Sequence, residues 1–445
     1  MPRLQALYPR WLIQPHSRTA LEQHALIIRE NRIHDILPAA AARVQYQDAD
    51  AVSLPEHALL PGLINLHCHA AMTLLRGYAD DLVLMDWLQQ HIWPAEARHV
   101  SDEFVFDGTQ LAITELIAGG VTCTNDMYFH HDAVARAAID AHYRMVVGCS
   151  ILEFPTPYAS DADAYISKAL TCRDQFAGEQ LVSFTLAPHA PYTVSDATFR
   201  RVITLADELG MGIHCHIHET QDEIAGSLNE HGVRPLERLA RLGLLGSQLV
   251  AAHMVHVTDA EMDLLARHGV SVAHNPASNL KLASGFAPVA ALQRHGVNVG
   301  LGTDGAASNN KLDLFADLRL AALLAKATDH NPTALPAWDA LQMATNNGAA
   351  ALGLQDQIGS LLPGLQADVI AVSLAASGAQ PCYDPVSQLV YATDRSQVSD
   401  VWIAGRRVFA EHQHTGPIAT RALAAAQRWQ ARIIANRDAA DRTIA

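Results

Sequence analysis

Two histidines separated by a single residue, His67 and His69, end the apolar run GLINL. In a β-strand, residues i and i+2 face the same side, so both imidazoles can reach one ion. His216 and Asp304 lie at the ends of other strand-like runs and add a nitrogen and an oxygen donor. Three histidines and one carboxylate suit Zn²⁺ or Fe²⁺, with a position left open for water. Taken alone, the His-x-His pair could equally be part of an ordinary strand.

Groups that could move protons accompany these candidate ligands. A bound divalent ion lowers the pKa of its water toward neutrality and so supplies hydroxide at pH 7. Glu219 lies three residues after His216, where a strand would give way to a helix, and could shuttle the proton. The alternative is a first-turn Glu favoured by the helix dipole. His253 ends another strand-like run and could hydrogen-bond the nucleophile, although a core histidine is the alternative. We therefore predict Glu219, His253 and Asp304 as catalytic residues.

The elements that must position these residues alternate regularly along the chain. Short β-rich runs are separated by helical, Ala- and Leu-rich segments such as 196–210 and 259–269. Eight such repeats predict an α/β fold, a (β/α)8 TIM barrel, over residues 61–357. The predicted strands are residues 62–69, 120–127, 143–152, 181–189, 210–219, 248–256, 269–275 and 297–304.

The two flanks are strand-rich and lack this alternation. Residues 1–60 and 358–445 are predicted to form one small composite β-sandwich domain, built from both ends of the chain. An amphipathic helix over residues 418–441 is expected to close it.

In such barrels the active site lies at the carboxyl ends of the strands, where the polar residues named above all occur. The fourth strand ends in His189 rather than in a lysine that could bridge two ions. We therefore expect one divalent metal ion.

Composition excludes several other classes of protein. The 445 residues carry a formal net charge of −15, which argues against nucleic acid or an anionic membrane as partner. Six scattered cysteines form no disulfide framework, and no targeting or membrane-spanning segment is evident. We expect a cytoplasmic protein that acts on a small molecule and forms a homo-oligomer, either a dimer or a tetramer.

At this point several motifs identify a family resemblance that covers nearly the whole chain. The segments resemble the amidohydrolase superfamily, and more closely its 5′-methylthioadenosine/S-adenosylhomocysteine deaminase branch, which is grouped with triazine hydrolases. The motifs are PGLINLHCHAAMTLLRG, LMDWLQQHIWPAE, HIHET, AAHMVH, HNPASNLKLASG, LGTDGAASNN and GSLLPGLQADVIAV.

The resemblance implies a role for each matching residue. The implied ligands of one divalent metal ion are His67, His69, His216 and Asp304. We expect Zn²⁺ in preference to Fe²⁺. Glu219 is the implied proton shuttle and also a substrate contact, and His253 assists at the metal water. Glu96, in the IWPAE motif, is expected at the ribose hydroxyls, because a carboxylate can accept two hydrogen bonds from a vicinal diol. His189 is a further implied substrate contact.

One departure from the family pattern bears on the substrate. Members that handle S-adenosylhomocysteine are expected to hold its amino-acid carboxylate with arginines after the third strand, and residues 153–165 contain none. The nearest arginine, Arg144, lies at the start of that strand. This favours a short apolar 5′ group. Residues that could line its pocket, or could simply pack, are Met85, Trp87, Trp93, Phe154 and Tyr158.

The predicted function is metal-dependent hydrolytic deamination of 5′-modified adenosines, giving the inosine analogue and ammonia. 5′-Methylthioadenosine, S-adenosylhomocysteine and adenosine are the substrates considered. The first alternative is a sister enzyme that acts on a free base or a triazine, such as a guanine or cytosine deaminase or a chlorohydrolase. The second is a metal-free scaffold built on the same barrel, which predicts lost ligands.

Overall fold

The computed structural model describes residues 4–444, and their side chains as far as residue 437. The strands of this part belong to two sheets, one built from the terminal segments and one forming a barrel. The strands are β1 (Leu4–Gln14), β2 (Thr19–Glu22), β3 (His24–Arg29), β4 (Arg32–Pro38), β5 (Asp50–Pro61), β6 (Leu63–Cys68), β7 (Val121–Asp126), β8 (Arg144–Ile151), β9 (Val182–Pro188), β10 (Gly212–Ile217), β11 (Leu249–His253), β12 (Ser271–His274), β13 (Asn298–Leu301), β14 (Val369–Ser373), β15 (Val398–Ile403), β16 (Arg406–Ala410) and β17 (Gln413–His414).

Strands β6 to β13 form the barrel in simple sequential order, and each pairs in parallel with the next. Each predicted strand is present, so the (β/α)8 prediction is confirmed. These runs stand out in the sequence because both faces are covered; all eight residues of β8, for example, are buried.

A side chain helps to join the first and last strands of the barrel. Asn65 on β6 accepts a hydrogen bond from the Thr303 backbone N–H at 2.9 Å and donates one to the Thr303 hydroxyl at 2.8 Å. The Asp304 N–H donates to the carbonyl of His67 at 2.9 Å. Gly302 is needed where the first and last strands meet, since a Cβ there would lie 2.9 Å from that of His67. This junction brings two predicted metal ligands, His67 and Asp304, together.

Helices surround the barrel and cover the gaps between strands, except that the first of them packs on β3 and β4 of the terminal sheet. They are α1 (Ala39–Gln45), α2 (Leu84–Asp86), α3 (Trp93–His99), α4 (Asp102–Ala118), α5 (His131–Ala141), α6 (Ala162–Gln175), α7 (Asp196–Leu209), α8 (Gln221–His231), α9 (Pro235–Leu242), α10 (Asp259–His268), α11 (Pro276–Lys281), α12 (Val289–Arg294), α13 (Leu314–Thr328), α14 (Ala337–Met343), α15 (Asn346–Ala351), α16 (Pro385–Tyr391) and α17 (Ile418–Ile444). Short 3₁₀ turns occupy Pro15–Ser17, Ala70–Leu75, Ser377–Ala379 and Arg395–Gln397, and a π-helical turn, Trp87–Ile92, joins α2 to α3.

Local sequence sets the ends of the barrel helices. The Ser195 side chain caps α7, and Gly210 ends that helix in the left-handed region at φ +62°. Thr258 and Glu261 form a capping box at the start of α10, and Gly269 ends it at φ +70°. Both helices lie where the pattern predicted them.

The two ends of the chain form one nine-stranded sheet, so the predicted composite β domain is confirmed. β5 from the N-terminal segment pairs antiparallel with β14 from the C-terminal segment, in the order β17-β16-β15-β14-β5-β1-β3-β4, with β2 on β1. The closing helix α17 is present, but its contacts lie with the barrel. Trp429 stacks edge-on against Phe104 of α4, with ring centroids 5.1 Å apart. Among the described helices, none is long and apolar enough to cross a membrane.

Candidate active site

The four predicted metal ligands converge at the carboxyl ends of barrel strands. His67 lies on β6, His69 directly after it, His216 on β10, and Asp304 three residues after β13. Nε2 of His67 and Nε2 of His69 each lie 3.3 Å from Oδ1 of Asp304. Nε2 of His216 is 3.3 Å from Nε2 of His69. One small volume is thus surrounded by three ring nitrogens and one carboxylate oxygen.

All three imidazoles use their other nitrogen, Nδ1, for a hydrogen bond. His69 donates to the carbonyl of Met127 and His216 to the carbonyl of His189, each at 2.6 Å. Nδ1 of His67 lies 2.9 Å from Nε2 of the buried His214. Donation from Nδ1 leaves the Nε2 lone pair free to face the shared centre, which is how metal-binding histidines are normally oriented.

The electrostatics of this cluster fit a cation. Nε2 of His67 is buried and has no hydrogen-bond partner among the described residues. Burial lowers the pKa of His67 to about 4 and that of His216 well below its usual range, so both rings are neutral at pH 7. Burial opposes ionisation of Asp304, but the surrounding histidines, His67 first, hold its pKa well below the usual value. Neutral imidazoles and an ionised carboxylate are the protonation states that bind zinc.

Backbone and hydroxyl donors hold Asp304 in place. The hydroxyls of Ser278 and Ser308 donate to its Oδ2 at 2.6 and 2.9 Å, and the N–H of Gly305 donates to its Oδ1 at 2.7 Å. Asp304 itself has φ +63°, in the left-handed region that non-glycine residues seldom occupy. Oδ1 is therefore the oxygen presented to the histidines.

Glu219 and His253 face each other beside the ligands. Oε1 of Glu219 lies 3.8 Å from Nε2 of His253, and the Glu219 backbone N–H donates to Glu223 at 2.8 Å. Burial raises the pKa of Glu219 toward neutral pH, which suits a group that must both accept and release a proton. Burial works against protonation of His253, but Glu219 and Asp304 outweigh it and raise the pKa of that ring.

A cavity of about 350 Å³ opens onto this cluster. Predicted residues that line it are His69, Trp87, Trp93, Glu96, Phe154, Tyr158, His189, His216, Glu219, His253 and Asp304. Met85 lines a neighbouring cavity of about 260 Å³ that also reaches Glu219. Leu84, Leu88 and Ile92, at helical spacing, face the main cavity, and Met85 lies on a different side of the same segment. The structure therefore brings every predicted substrate contact except Met85 to one cavity.

Glu96 is held by a residue that the sequence pattern did not identify. The hydroxyl of Tyr128 donates a hydrogen bond of 2.6 Å to Glu96 Oε1. Burial raises the pKa of Glu96 to about 6, although Tyr128 works in the opposite direction. His189 lies near the ligands, its ring centroid 4.7 Å from that of His216, and its Nδ1 is 3.1 Å from the Thr193 hydroxyl.

The rest of the cavity wall is apolar and aromatic. Trp93 and Phe154 lie with ring centroids 6.0 Å apart. Among the described residues, no lysine or arginine lines the cavity. Arg144 lies at the start of β8, at the other end of the barrel, and donates to the Asp368 carboxylate at 2.8 and 3.0 Å.

Comparison with known proteins places this chain in a family. The chain is 46% identical over 429 residues to a 5-methylthioadenosine/S-adenosylhomocysteine deaminase of Teredinibacter turnerae, covering 96% of this chain and 97% of that one. It is 44% identical over 433 residues to a protein of the same name from Saccharophagus degradans, with 96% of each chain covered.

Solved structures of similar fold point to the same family. An adenosine deaminase from Xanthomonas campestris with bound zinc superposes with a TM-score of 0.95 and 48% sequence identity, over 98% of this chain and 99% of that one. A zinc complex of atrazine chlorohydrolase from Arthrobacter aurescens shares the fold, with a TM-score of 0.89 at 23% identity over 95% of this chain and 99% of that one. Residues 58–408 match the Amidohydrolase family. With that match and these relatives, the chain belongs to the amidohydrolase family.

Proposed function

We propose that this protein is a metal-dependent hydrolase that deaminates 5′-modified adenosines to the inosine analogue and ammonia. The observation that carries the proposal is that one cavity joins Glu96, Glu219 and the ligand cluster. A purine nucleoside needs a group for each of its two ends, and these carboxylates provide them. The names of the relatives at 46% and 44% identity support the same reaction.

The proposed ligands of a single Zn²⁺ are His67, His69, His216 and Asp304. Imidazole nitrogens and a carboxylate oxygen are donors that zinc prefers. When bound, such an ion lowers the pKa of a coordinated water toward neutrality. The zinc reported with the relative from Xanthomonas campestris supports Zn²⁺ over Fe²⁺.

The proposed mechanism assigns proton transfers to this chain's own groups. Glu219 accepts a proton from the water that attacks C6 of the purine and delivers it to N1. His253, with Nε2 3.8 Å from the Glu219 carboxylate, and Asp304 orient the nucleophile. A second proton from the water reaches the amino group as the C6–N bond breaks, so ammonia leaves and the C6 carbonyl forms. His189 and Trp93, which line the same cavity, are proposed to contact the substrate.

Glu96 is proposed to bind the ribose, as its carboxylate can accept hydrogen bonds from both hydroxyls. The apolar wall formed by residues such as Phe154 and Tyr158 is proposed to hold the 5′ substituent. A homocysteinyl group would bring a carboxylate into a cavity that no described lysine or arginine lines, and an unpaired buried charge is costly. We therefore propose a preference for 5′-methylthioadenosine and adenosine over S-adenosylhomocysteine.

A substrate panel tests this proposal. Ammonia release is measured with zinc-loaded protein on adenosine, 5′-methylthioadenosine, S-adenosylhomocysteine, adenine, guanine, cytosine and a chlorotriazine. We expect the highest kcat/KM on 5′-methylthioadenosine. Turnover of a free base or the triazine, with no turnover of any nucleoside, would overturn it. Glu96→Gln separates the same alternatives, because it should raise KM for a nucleoside and leave a free base unaffected.

We also propose a cytoplasmic location and a homo-oligomeric state. All six cysteines are free thiols, five of them buried, which fits a reducing compartment. Cell fractionation and light scattering on the purified protein test these two statements.

A further inference from the structure

The short helix α11 contacts the active site through two adjacent side chains that the mechanism above does not use. Ser278 and Asn279 lie near its centre and are only 0% and 2% exposed. Each points at a different residue of the site. One helix thus touches two separate functional groups, Asp304 and His253.

Asn279 fixes the ring of His253. Nδ1 of His253 lies 2.8 Å from Oδ1 of Asn279. A carboxamide oxygen only accepts hydrogen bonds, so Nδ1 must carry the proton. Asn275 Nδ2 is itself a donor and lies farther away, 3.3 Å from the same nitrogen, so it does not hydrogen-bond the protonated Nδ1. Nε2 is therefore the nitrogen left facing Glu219, 3.8 Å away.

Ser278 fixes the carboxylate of Asp304. Its hydroxyl donates to Oδ2 at 2.6 Å, while Oδ1 faces the nitrogens of His67 and His69, each at 3.3 Å. Occupying one oxygen with a hydroxyl donor holds the plane of the carboxylate and aims the other at the ligand cluster.

The helix itself is held firmly at both ends. Lys281, its last residue, donates to Asp80 at 2.6 Å, to the carbonyl of Ala307 at 3.2 Å and to Asn310. Near the other end, the Ala277 N–H donates to the buried Asp317 at 3.1 Å. These contacts tie α11 to the loops that follow the first and last barrel strands and to helix α13.

We propose that α11 is a positioning element with two separable effects: Ser278 sets Asp304 for metal binding, and Asn279 sets His253 for turnover. Neither residue touches the reacting atoms. The inference rests on the proposed function, since it assumes that Asp304 is a ligand and that His253 acts in catalysis.

The test of Asn279 compares Asn279→Leu, which has no acceptor, with Asn279→Asp, which keeps one. We expect the leucine variant to lose about 10–100-fold in kcat, with KM and bound zinc unchanged, because a buried N–H of His253 is left without its acceptor. The kcat of the aspartate variant should be at least tenfold higher than that of the leucine variant. Leu280→Ala, on the exposed face of the same helix, is the matched control and should keep wild-type kcat. Asn279→Ser supplies the comparison should the leucine variant not fold.

The test of Ser278 measures zinc affinity directly, by competition with a chelator. Ser278→Ala should weaken zinc binding about tenfold, because Ser308 still donates to the same oxygen. Asn279→Leu should bind zinc as the wild type does. This readout does not depend on turnover.

Several outcomes would overturn the proposal. Equal losses in the leucine and aspartate variants, a loss expressed in KM, or a comparable loss in Leu280→Ala would mean that α11 is merely structural. Unchanged zinc affinity in Ser278→Ala would remove the role of that residue. If the wild type deaminates no nucleoside, the proposed function fails, whereas the zinc measurement still decides the role of Ser278.

Discussion

The hydroxyl of Tyr128 donates a 2.6 Å hydrogen bond to the carboxylate of Glu96. Both residues line the cavity, and the bond leaves the second Glu96 oxygen available to a ligand. It also favours the ionised form of a carboxyl group whose pKa is raised by burial. Tyr128 therefore supports the group that we assign to the ribose.

Replacing Tyr128 with phenylalanine should weaken nucleoside binding. Without the hydroxyl, the pKa of Glu96 rises further and the carboxylate loses its fixed orientation. A hydrogen bond to a charged group contributes about 1.5–3 kcal/mol, so we expect KM for 5′-methylthioadenosine to rise about tenfold or more with kcat little changed. Steady-state kinetics check this, with 2′,3′-dideoxyadenosine as the control substrate. An equal rise in KM for that control would show that Tyr128 does not act through the diol.

Nucleoside affinity should fall as the pH drops through about 6, where Glu96 takes up a proton. The protonated acid accepts hydrogen bonds poorly, so 1/KM follows the ionised fraction. Glu96→Gln should abolish this dependence, and a wild-type KM that stays constant between pH 5 and 8 would contradict the assignment.

The same raised pKa has a consequence for stability with the opposite sign. The folded protein binds the Glu96 proton more tightly than the unfolded chain, so the associated stability is present below about pH 4.5 and is lost as the pH rises through about 6. One pKa unit corresponds to about 1.4 kcal/mol, and the contact that Glu96 keeps with solvent reduces the effect of its shift. At pH 8, the free energy of unfolding of Glu96→Gln should therefore be about 1 kcal/mol higher than that of the wild type. Urea unfolding at pH 4 and pH 8 measures the difference.

The sequence predicts the barrel well and the contacts inside the site poorly. The eight strands are visible because parallel strands buried on both faces are apolar throughout, and a polar residue at the end of such a run is conspicuous. The carbonyls of Met127 and His189 that orient His69 and His216 are backbone groups, so no residue type signals them.

Ser278 and Asn279 are not predicted from the sequence, and Met85 is predicted but faces a different cavity. Ser278 and Asn279 lie within the motif HNPASNLKLASG, but their partners are each 26 residues away, so spacing alone cannot assign them. Met85 was predicted with Trp93 because both are large and apolar. Which of them faces the cavity depends on the helical phase of the segment with the π-helical turn Trp87–Ile92, which composition does not reveal.

Glu219→Gln should retain the metal and lose about 10²–10⁴-fold in kcat. Glutamine keeps the shape of the side chain and cannot carry the proton, and the proposed ligands are all other residues. Metal content by elemental analysis and kcat by ammonia release are the two measurements. A variant that keeps most of its kcat would refute the role of Glu219 as proton shuttle.

Removing the metal should abolish turnover and lower stability together. Without the metal, the buried, neutral His67 and His216 rings would lose their shared partner. A bound ion present at a thousandfold excess over its Kd adds about 4 kcal/mol to the free energy of unfolding. Dialysis against a chelator, followed by stepwise return of Zn²⁺, should restore activity and the unfolding midpoint in parallel. His67→Ala should not respond to the returned zinc, and a full response there would contradict its role as a ligand.

Arg144 should matter for folding and hardly at all for catalysis. It forms a bidentate ion pair with Asp368 at 2.8 and 3.0 Å, and both side chains are buried. The pair joins barrel strand β8 to the segment just before β14, and β14 is a strand of the terminal sheet. Arg144→Met leaves the carboxylate buried without its partner, which typically costs about 3–5 kcal/mol.

Adding Asp368→Asn to Arg144→Met should recover a large part of the lost free energy of unfolding, because the uncompensated charge is then gone. The asparagine side chain can still accept the 2.8 Å hydrogen bond from the Ala404 N–H. Urea unfolding of the two variants measures the recovery. Folded Arg144→Met should keep wild-type kcat and KM, since the ligands lie at the opposite ends of the strands. A selective loss of activity on S-adenosylhomocysteine in that variant would instead indicate that Arg144 reaches the substrate.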